Sequence, residues 1–275
     1  MTPLLLALGA SLAWGVSDFV GPLVARTLGT LRVLFWAQVG GLVAIGLAVA
    51  IRGQGPAGWA VLFAVLASIG GMLGLFAYYR GIQRGAISVV APIAGVSAIV
   101  PVIFGIATGD SPSPLQLTGV ACALLGVALA SIEHHEGSRR VAAGAGLALL
   151  AAAGFGFYFP WMHAAGKADF WWASLTFRTV ALLLVAAVVA QQRTPLKLGK
   201  RDLAIVFAAG IGDTVGNALF AASSAHGLVS LTSVLASLYP VVTVLLAASV
   251  LHERVAPMQR AGIVLTLTGV VLISF

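Results

Sequence analysis

Charged side chains in this chain are confined almost entirely to the gaps between ten apolar runs. The runs span residues 3–25, 31–51, 57–80, 86–108, 115–132, 141–164, 170–190, 202–224, 228–251 and 257–274. Each is close to the ~20 residues a helix needs to cross the hydrocarbon core of a bilayer. The gaps read RTLGTLR, RGQGPAG, RGIQRGA, TGDSPSP, EHHEGSRR, GKAD, RTPLKLGKRD, SAHG and HERVAP, which is loop chemistry. No stretch of useful size is left for a soluble domain. Backbone groups in lipid must be satisfied internally, and barrel strands would be shorter and alternating, so the expected fold is an all-α polytopic membrane protein with ten transmembrane helices.

Composition excludes the soluble classes. Hydrophobic residues make up 60% of the chain and charged residues 8%, with a mean hydropathy of +1.06; soluble domains average roughly 25% charged. A net charge of +7 points to nucleic acid in a soluble chain, but here the basic residues fall in short gaps between spans, which is membrane-topology chemistry. The single cysteine, Cys122, rules out an intrachain disulfide and a cysteine metal cage. The opening MTPLLLALGASLAWG lacks a basic n-region and its apolar run outlasts a cleaved signal, so it reads as the first transmembrane helix.

The gaps also orient the chain. Those after runs 1, 3, 5, 7 and 9 hold Arg26, Arg32, Arg80, Arg84, Arg139, Arg140, Arg193, Lys197, Lys200, Arg201, Arg254 and Arg260. The others hold only Arg52 and Lys167. Twelve against two places the odd gaps in the cytoplasm and both termini on the non-cytoplasmic side. The expected location is a bacterial-type inner membrane.

The chain repeats itself. Residues Ser113 to Ser131 and Ala256 to Ser274, 143 residues apart, agree without gaps at 8 of 19 positions. Asp110 meets Glu253 at the same offset. At 142, Gly85, Ser88, Gly70 and Gly74 meet Gly227, Ser230, Gly212 and Gly216; near 141, Trp14-Gly15 meets Phe155-Gly156. Two five-helix units follow, 1–132 and 141–275, joined by a cytoplasmic linker at 133–140. An odd number of spans per unit inverts the second copy relative to the first, an architecture of secondary transporters whose substrate site lies near the midplane between the halves.

Three segments carry a family resemblance. LHERVAPMQRAGIVLTLTGVVL places Glu253 ahead of Pro257 and Gln259, as Asp110 stands ahead of Pro114 and Gln116; SLAWGVSDFVG holds a Trp-Gly in the first run, and FRTVALLLVAAV holds Arg178. Together they resemble the drug/metabolite transporter superfamily, in its ten-helix EamA-type branch. Within it the chain looks most like the aromatic amino-acid exporters. FWAQVGG stands where the family usually has an arginine in the second helix, and the gap at 52–57 is less basic than is common. The resemblance implies an exporter of small metabolites or drugs.

Polar groups inside a span are costly unless paired, and so mark candidate sites. Asp18 lies about two-thirds through the first run, Asp213 near the middle of the eighth, and Asn217 one turn further on the same face. Arg178 lies midway along the seventh. These groups either line a cavity, hold a charged substrate or couple to protons, or else Arg178 and Asp213 pair structurally and Asp18 is hydrated from the interface. Aromatic rings can stack on a ligand ring or attract its ammonium. Trp14, with neighbouring Ser17, and Tyr78, Tyr79, Phe155 and Tyr158 are therefore candidate substrate contacts, on helices the resemblance places around the cavity. Helix packing and the interfacial belt are the competing roles, the belt evenly so for Tyr78 and Tyr79. Trp171 and Trp172 read as belt residues.

Glycine pairs at 70/74, 212/216, 119/126 and 262/269 read as close-packing positions. Pro92, Pro101, Pro160 and Pro240 favour bends. Asp110 and Glu253 read as structural carboxylates ahead of helices 5 and 10. The EHHE stretch at 133–136 lacks the partner cluster of a metal site.

A different class competes through GIGD at 210–213, a string of intramembrane aspartyl proteases. That chemistry needs two carboxylates sharing a proton on adjacent helices, and the only deep partner for Asp213 is Asp18, in the other half. The leading expectation is a non-enzymatic carrier exporting small metabolites, aromatic amino acids foremost, by alternating access; a multidrug or cationic-compound exporter is the alternative. Its expected partners are a small-molecule substrate and the bilayer, with no nucleic acid, ATP-binding subunit, metal or cofactor, and the expected unit is a monomer.

Overall fold

In the computed structural model the described residues are 1–84, 94–130, 138–250, 257–273 and 275, with backbone alone at 83, 84, 96, 130, 138–145, 244, 247, 248 and 259. Gly85, Ser88, Pro92, the EHHE stretch, Glu253 and Arg254 lie outside them.

The described residues form helices and short connections, with no strand among them. Helices α1 (Thr2–Leu28), α2 (Thr30–Arg52) and α3 (Ala60–Arg84) fill the first three apolar runs. A 3₁₀ turn (Val96–Ala98) leads into α4 (Ile99–Ala107), and α5 (Pro114–Ala130) completes the first half. The second half holds α6 (Ser138–Gln191), α7 (Lys200–His226), α8 (Val229–Ala236), α9 (Tyr239–Val250) and α10 (Pro257–Ile273).

Two differences from the expected spans have physical causes. The sixth and seventh runs form one helix, and the GKAD gap is a kink in it rather than a loop. Only Asp169 leaves the helical region, with φ −165° and ψ 103°, and it divides α6 into α6a (138–168) and α6b (170–191). The Asp169 carboxylate accepts from the backbone N–H groups of Trp171 and Trp172 at 3.0 and 3.2 Å, a new N-cap for α6b. Arg52 at the end of α2 donates to both of its oxygens, at 2.7 and 2.8 Å. Trp172 donates its indole N–H to the Gln54 carbonyl at 2.8 Å. The second difference is that runs four and nine are broken. The ninth stops at Ala236 and resumes at Tyr239, with Pro240 in the first turn of α9. Pro101 stands in the first turn of α4 in the same way. Proline has no N–H to give to the preceding turn, so each helix restarts where its proline needs no donor.

Helix packing reproduces the sequence repeat. Trp14 of α1 lies on Gly216 of α7, where an added Cβ would sit 2.5 Å from the indole; Phe155 of α6a lies on Gly74 of α3, where it would sit 2.6 Å from the ring. Trp14 and Phe155 are 141 residues apart, and Gly74 and Gly216 are 142 apart. The α1–α7 and α3–α6a interfaces are thus copies of each other. The repeated segments pack together as α5 and α10. A Cβ at Gly119 would lie 2.8 Å from the Gly269 carbonyl, and one at Gly269 2.6 Å from the Gly119 carbonyl, so small residues set the approach of these helices. The halves are two inverted five-helix repeats.

The crossings leave apolar side chains outside. Leu5, Leu12, Val43, Leu47, Ile103, Leu125, Leu183 and Val264 are exposed, the surface a bilayer requires. Five helical segments among the described residues are long and apolar enough to cross one, and that at Gly146–Gln191 contains 46 residues, enough for two passes.

Candidate functional site: a cavity on the pseudo-two-fold axis

A cavity of about 520 Å³, its mouth included, lies where α1, α3, α6, α7 and the two broken helices converge. Ten of its twelve lining residues form five equivalent pairs. At offset 141, Trp14 matches Phe155 and Asp18 matches Phe159; at 142, Gly71 matches Asp213, Leu75 matches Asn217, and Ser97 matches Tyr239. Tyr158 and Phe177 complete the lining. The cavity therefore straddles the axis relating the halves, where secondary transporters of inverted-repeat build place their sites.

The pairs match in position but not in chemistry. On the α1–α7 side stand Asp18, Asp213 and Asn217; their equivalents on the α3–α6a side are Phe159, Gly71 and Leu75. One wall is polar and carries the carboxylates. The other is apolar and aromatic. Trp14 packs edge-on to Tyr158 and Phe159, each at 6.2 Å between ring centroids, and Tyr158 packs edge-on to Phe177 at 5.4 Å.

Arg178 anchors the polar side from α6b. Its side chain is 1% exposed and donates to Asp213 at 2.5 Å and to Gln38 of α2 at 2.6 Å. The guanidinium also lies 5.3 Å from the Phe177 ring centre. The ion pair foreseen between Arg178 and Asp213 is formed, and through Gln38 it also ties in the first half. α2 comes close enough for this because its small residues meet those of α7: a Cβ at Gly41 would lie 2.9 Å from the Gly210 carbonyl.

Asp18 is the other carboxylate of the cavity. No cation among the described residues pairs with it. With Asp213 engaged by Arg178, the two carboxylates do not form the proton-sharing dyad that the GIGD string would need.

Three buried polar atoms in the lining lack partners: Ser97 Oγ, Asn217 Nδ2 and Tyr239 Oη. Their residues are 2%, 4% and 5% exposed. Asn217 is held from its other end, Oδ1 accepting from Tyr158 Oη at 2.7 Å.

The remaining candidates fall outside the lining. Ser17 donates to the Ala13 carbonyl at 2.9 Å and packs on Gly212, as its equivalent Tyr158 packs on Gly70. Tyr78 and Tyr79 are 1% and 6% exposed, inside the bundle rather than in an interfacial belt, and the Tyr79 hydroxyl abuts Gly21 of α1. Of the expected contacts, Trp14, Phe155, Tyr158, Asp213, Asn217 and Asp18 reach the cavity. Phe159, which the aromatic run of the sixth span also offers, reaches it too, whereas Gly71, Leu75, Ser97, Phe177 and Tyr239 are lining residues that the sequence reading does not single out. Carrying the 142 offset across the fourth and ninth runs pairs Ser97 with Tyr239 and would have found both.

Comparison with known proteins gives the fold and the family. No curated protein matches the chain. A solved structure described as a crystal structure of a protein is similar with a TM-score of 0.79, over 98% of this chain and 95% of its own, at 17% identity; that likeness shows the fold. The model of the EamA-like transporter family matches twice, at residues 1–132 and 142–275. The chain thus belongs to the EamA-like transporter family, multi-pass membrane proteins that carry small molecules.

Proposed function

We propose that this transporter exports small amphipathic metabolites, aromatic amino acids foremost, by alternating access. The observation that carries the reading is the two-walled cavity on the pseudo-two-fold axis. An aromatic amino acid has a charged head suited to the Asp18–Asn217 side and a ring suited to the Phe155–Phe159 side. The halves 1–132 and 141–275, joined at 133–140, supply two related conformations by exchanging roles. The distribution of basic gaps supports an inner-membrane orientation with both termini non-cytoplasmic. Transport is secondary or facilitated.

A second reading is favoured by the carboxylate of Asp18, which no described cation pairs with: an exporter of organic cations. Purified protein in liposomes separates the two. Uptake of labelled tryptophan and phenylalanine is measured against aliphatic and charged amino acids and a quaternary ammonium dye, with and without a pH gradient. Saturable uptake favouring the aromatic amino acids is expected. Uptake of the dye alone, by protein shown to be folded, would replace the amino-acid reading with the cation reading.

A further inference from the structure

The polar groups of the cavity complement an α-amino-acid head group atom by atom. An ammonium offers three donors and needs acceptors; the Asp18 carboxyl supplies acceptor oxygens in the lining and forms no ion pair with a described cation. A carboxylate needs donors. Ser97 Oγ, Asn217 Nδ2 and Tyr239 Oη are buried hydrogen-bonding groups left without partners, an arrangement costly to a protein unless something fills it. All four residues line the one cavity. Two of them stand at equivalent places, Ser97 in the 3₁₀ turn before α4 and Tyr239 at the first residue of α9. Broken helices of this kind bring polar groups to the midplane site of inverted-repeat carriers.

Arg178 does not serve the carboxylate. Nη1 and Nη2 are taken by Gln38 and Asp213, and Nε, although buried without a partner, belongs to a side chain outside the lining. Tyr158 in turn fixes the rotamer of Asn217 by donating to Oδ1, which leaves Nδ2 as the free end.

We infer that Asp18, Ser97, Asn217 and Tyr239 form a zwitterion subsite, Asp18 taking the substrate's ammonium and the other three its carboxylate, with the side chain against Phe155 and Phe159. This rests on the amino-acid reading proposed above. It adds that recognition is divided between the two charges of the head, and that the substrate sits in one orientation across the pseudo-two-fold axis. The broken symmetry sets that orientation, because the equivalents of Asp18 and Asn217 are Phe159 and Leu75.

The test is competition binding to the purified full chain with tryptophan, tryptamine and indole-3-propionate, which share a ring and differ in the head. Wild type is expected to bind tryptophan at least tenfold more tightly than either of the others. Asp18→Asn is expected to weaken tryptophan and tryptamine at least tenfold, and indole-3-propionate far less. Asn217→Asp keeps the acceptor for Tyr158 and removes the Nδ2 donors. It is expected to weaken tryptophan and indole-3-propionate at least tenfold and tryptamine far less. Tyr239→Phe deletes one hydroxyl and gives the second pattern at about threefold, and it serves where a charge-changing variant fails to fold. Equal weakening of all three ligands by the folded variants, or wild-type binding of tryptamine as tight as tryptophan, would overturn the subsite while leaving the transporter of aromatic compounds in place. Binding of none of the three by folded wild type would overturn the subsite together with the amino-acid reading.

Discussion

Asp18 and Phe159 are equivalent positions in the two halves, 141 residues apart, and both line the central cavity. The duplicated fold presents the same surface twice, and divergence at a few positions has made one copy polar and the other aromatic. Asn217 against Leu75 repeats the pattern. A symmetric scaffold thereby acquires a directional site without changing its helix packing.

The Arg178–Asp213–Gln38 cluster holds α2, α6b and α7 together, and its centre is buried. Removing one partner of a buried pair leaves an uncompensated charge, a loss on the order of 3–5 kcal/mol. Asp213 is 22% exposed in its side chain, so solvent relieves part of this. Arg178→Met is expected to cost about 3 kcal/mol, seen as a clear fall in melting temperature in detergent. Adding Asp213→Leu is expected to recover part of the loss, because the stranded carboxylate is removed with its partner. A double variant no more stable than Arg178→Met would contradict the pairing.

The close approach of α3 and α6a rests on glycine. A Cβ at Gly154 would lie 2.5 Å from the Gly74 amide nitrogen and 2.7 Å from the Gly70 carbonyl. These are backbone atoms, so the helices would have to separate. Gly154→Ala is expected to destabilise by roughly 1–3 kcal/mol, the usual range for overpacking. Gly146, eight residues earlier in the same helix, faces open space. Gly146→Ala is expected to be neutral or stabilising by up to ~1 kcal/mol, from helix propensity. Thermal unfolding of the two variants side by side checks the contrast.

Much of this architecture is legible in the chain because lipid leaves few choices. Apolar runs of span length dictate the helices, an offset near 142 the repeat, and an odd number of runs in each copy its inversion. Helix faces were harder. Tyr78 and Tyr79 sit near the C-terminal end of a run, where belt, cavity and core all accept tyrosine, and only the packing of Tyr79 on Gly21 shows the core. The break between α8 and α9 was hidden because SLY reads as apolar as its surroundings, although Pro240 marked the place. Ser97 is one hydroxyl in an apolar run, and nothing local distinguishes it from a serine bonded to its own helix. GKAD reads as a loop because its glycine and charges resemble one, while a single extended residue at Asp169 does the work of the turn.

Asp169 combines an N-cap with a largely buried ion pair. Its side chain is 1% exposed and serves two backbone N–H groups as well as Arg52, whose own side chain is 28% exposed. Loss of an N-cap costs about 1 kcal/mol and up to 2, whereas stranding a buried carboxylate costs on the order of 3–5 kcal/mol, part of which the two N–H groups offset here. Asp169→Ala, which removes the cap and the charge together, is therefore expected to lower stability by roughly 2 kcal/mol, and Arg52→Ala, which strands the carboxylate, by at least as much. A loss below about 1 kcal/mol for Arg52→Ala in thermal unfolding would mean that the cap alone holds the kink.

Asp110 joins the broken helices of the two halves. Its carboxylate at the end of the fourth run accepts from the Ser230 backbone N–H at 2.8 Å and from the Ser230 hydroxyl at 2.7 Å, in the first turn of α8. Substituting alanine removes both acceptors and frees the helix start, a loss of about 1–2 kcal/mol on the scale of N-caps. Asparagine keeps one acceptor oxygen and is expected to lose less than half as much. The bond also spans the boundary between the halves, which must move relative to each other if transport is by alternating access. Loosening it is therefore expected to lower the melting temperature in detergent in the order Asp110→Ala, Asp110→Asn, unaltered Asp110, and thermal unfolding of the three proteins reads that order directly. Equal stability in all three would show that the Asp110–Ser230 contact does not hold the two halves together at this end.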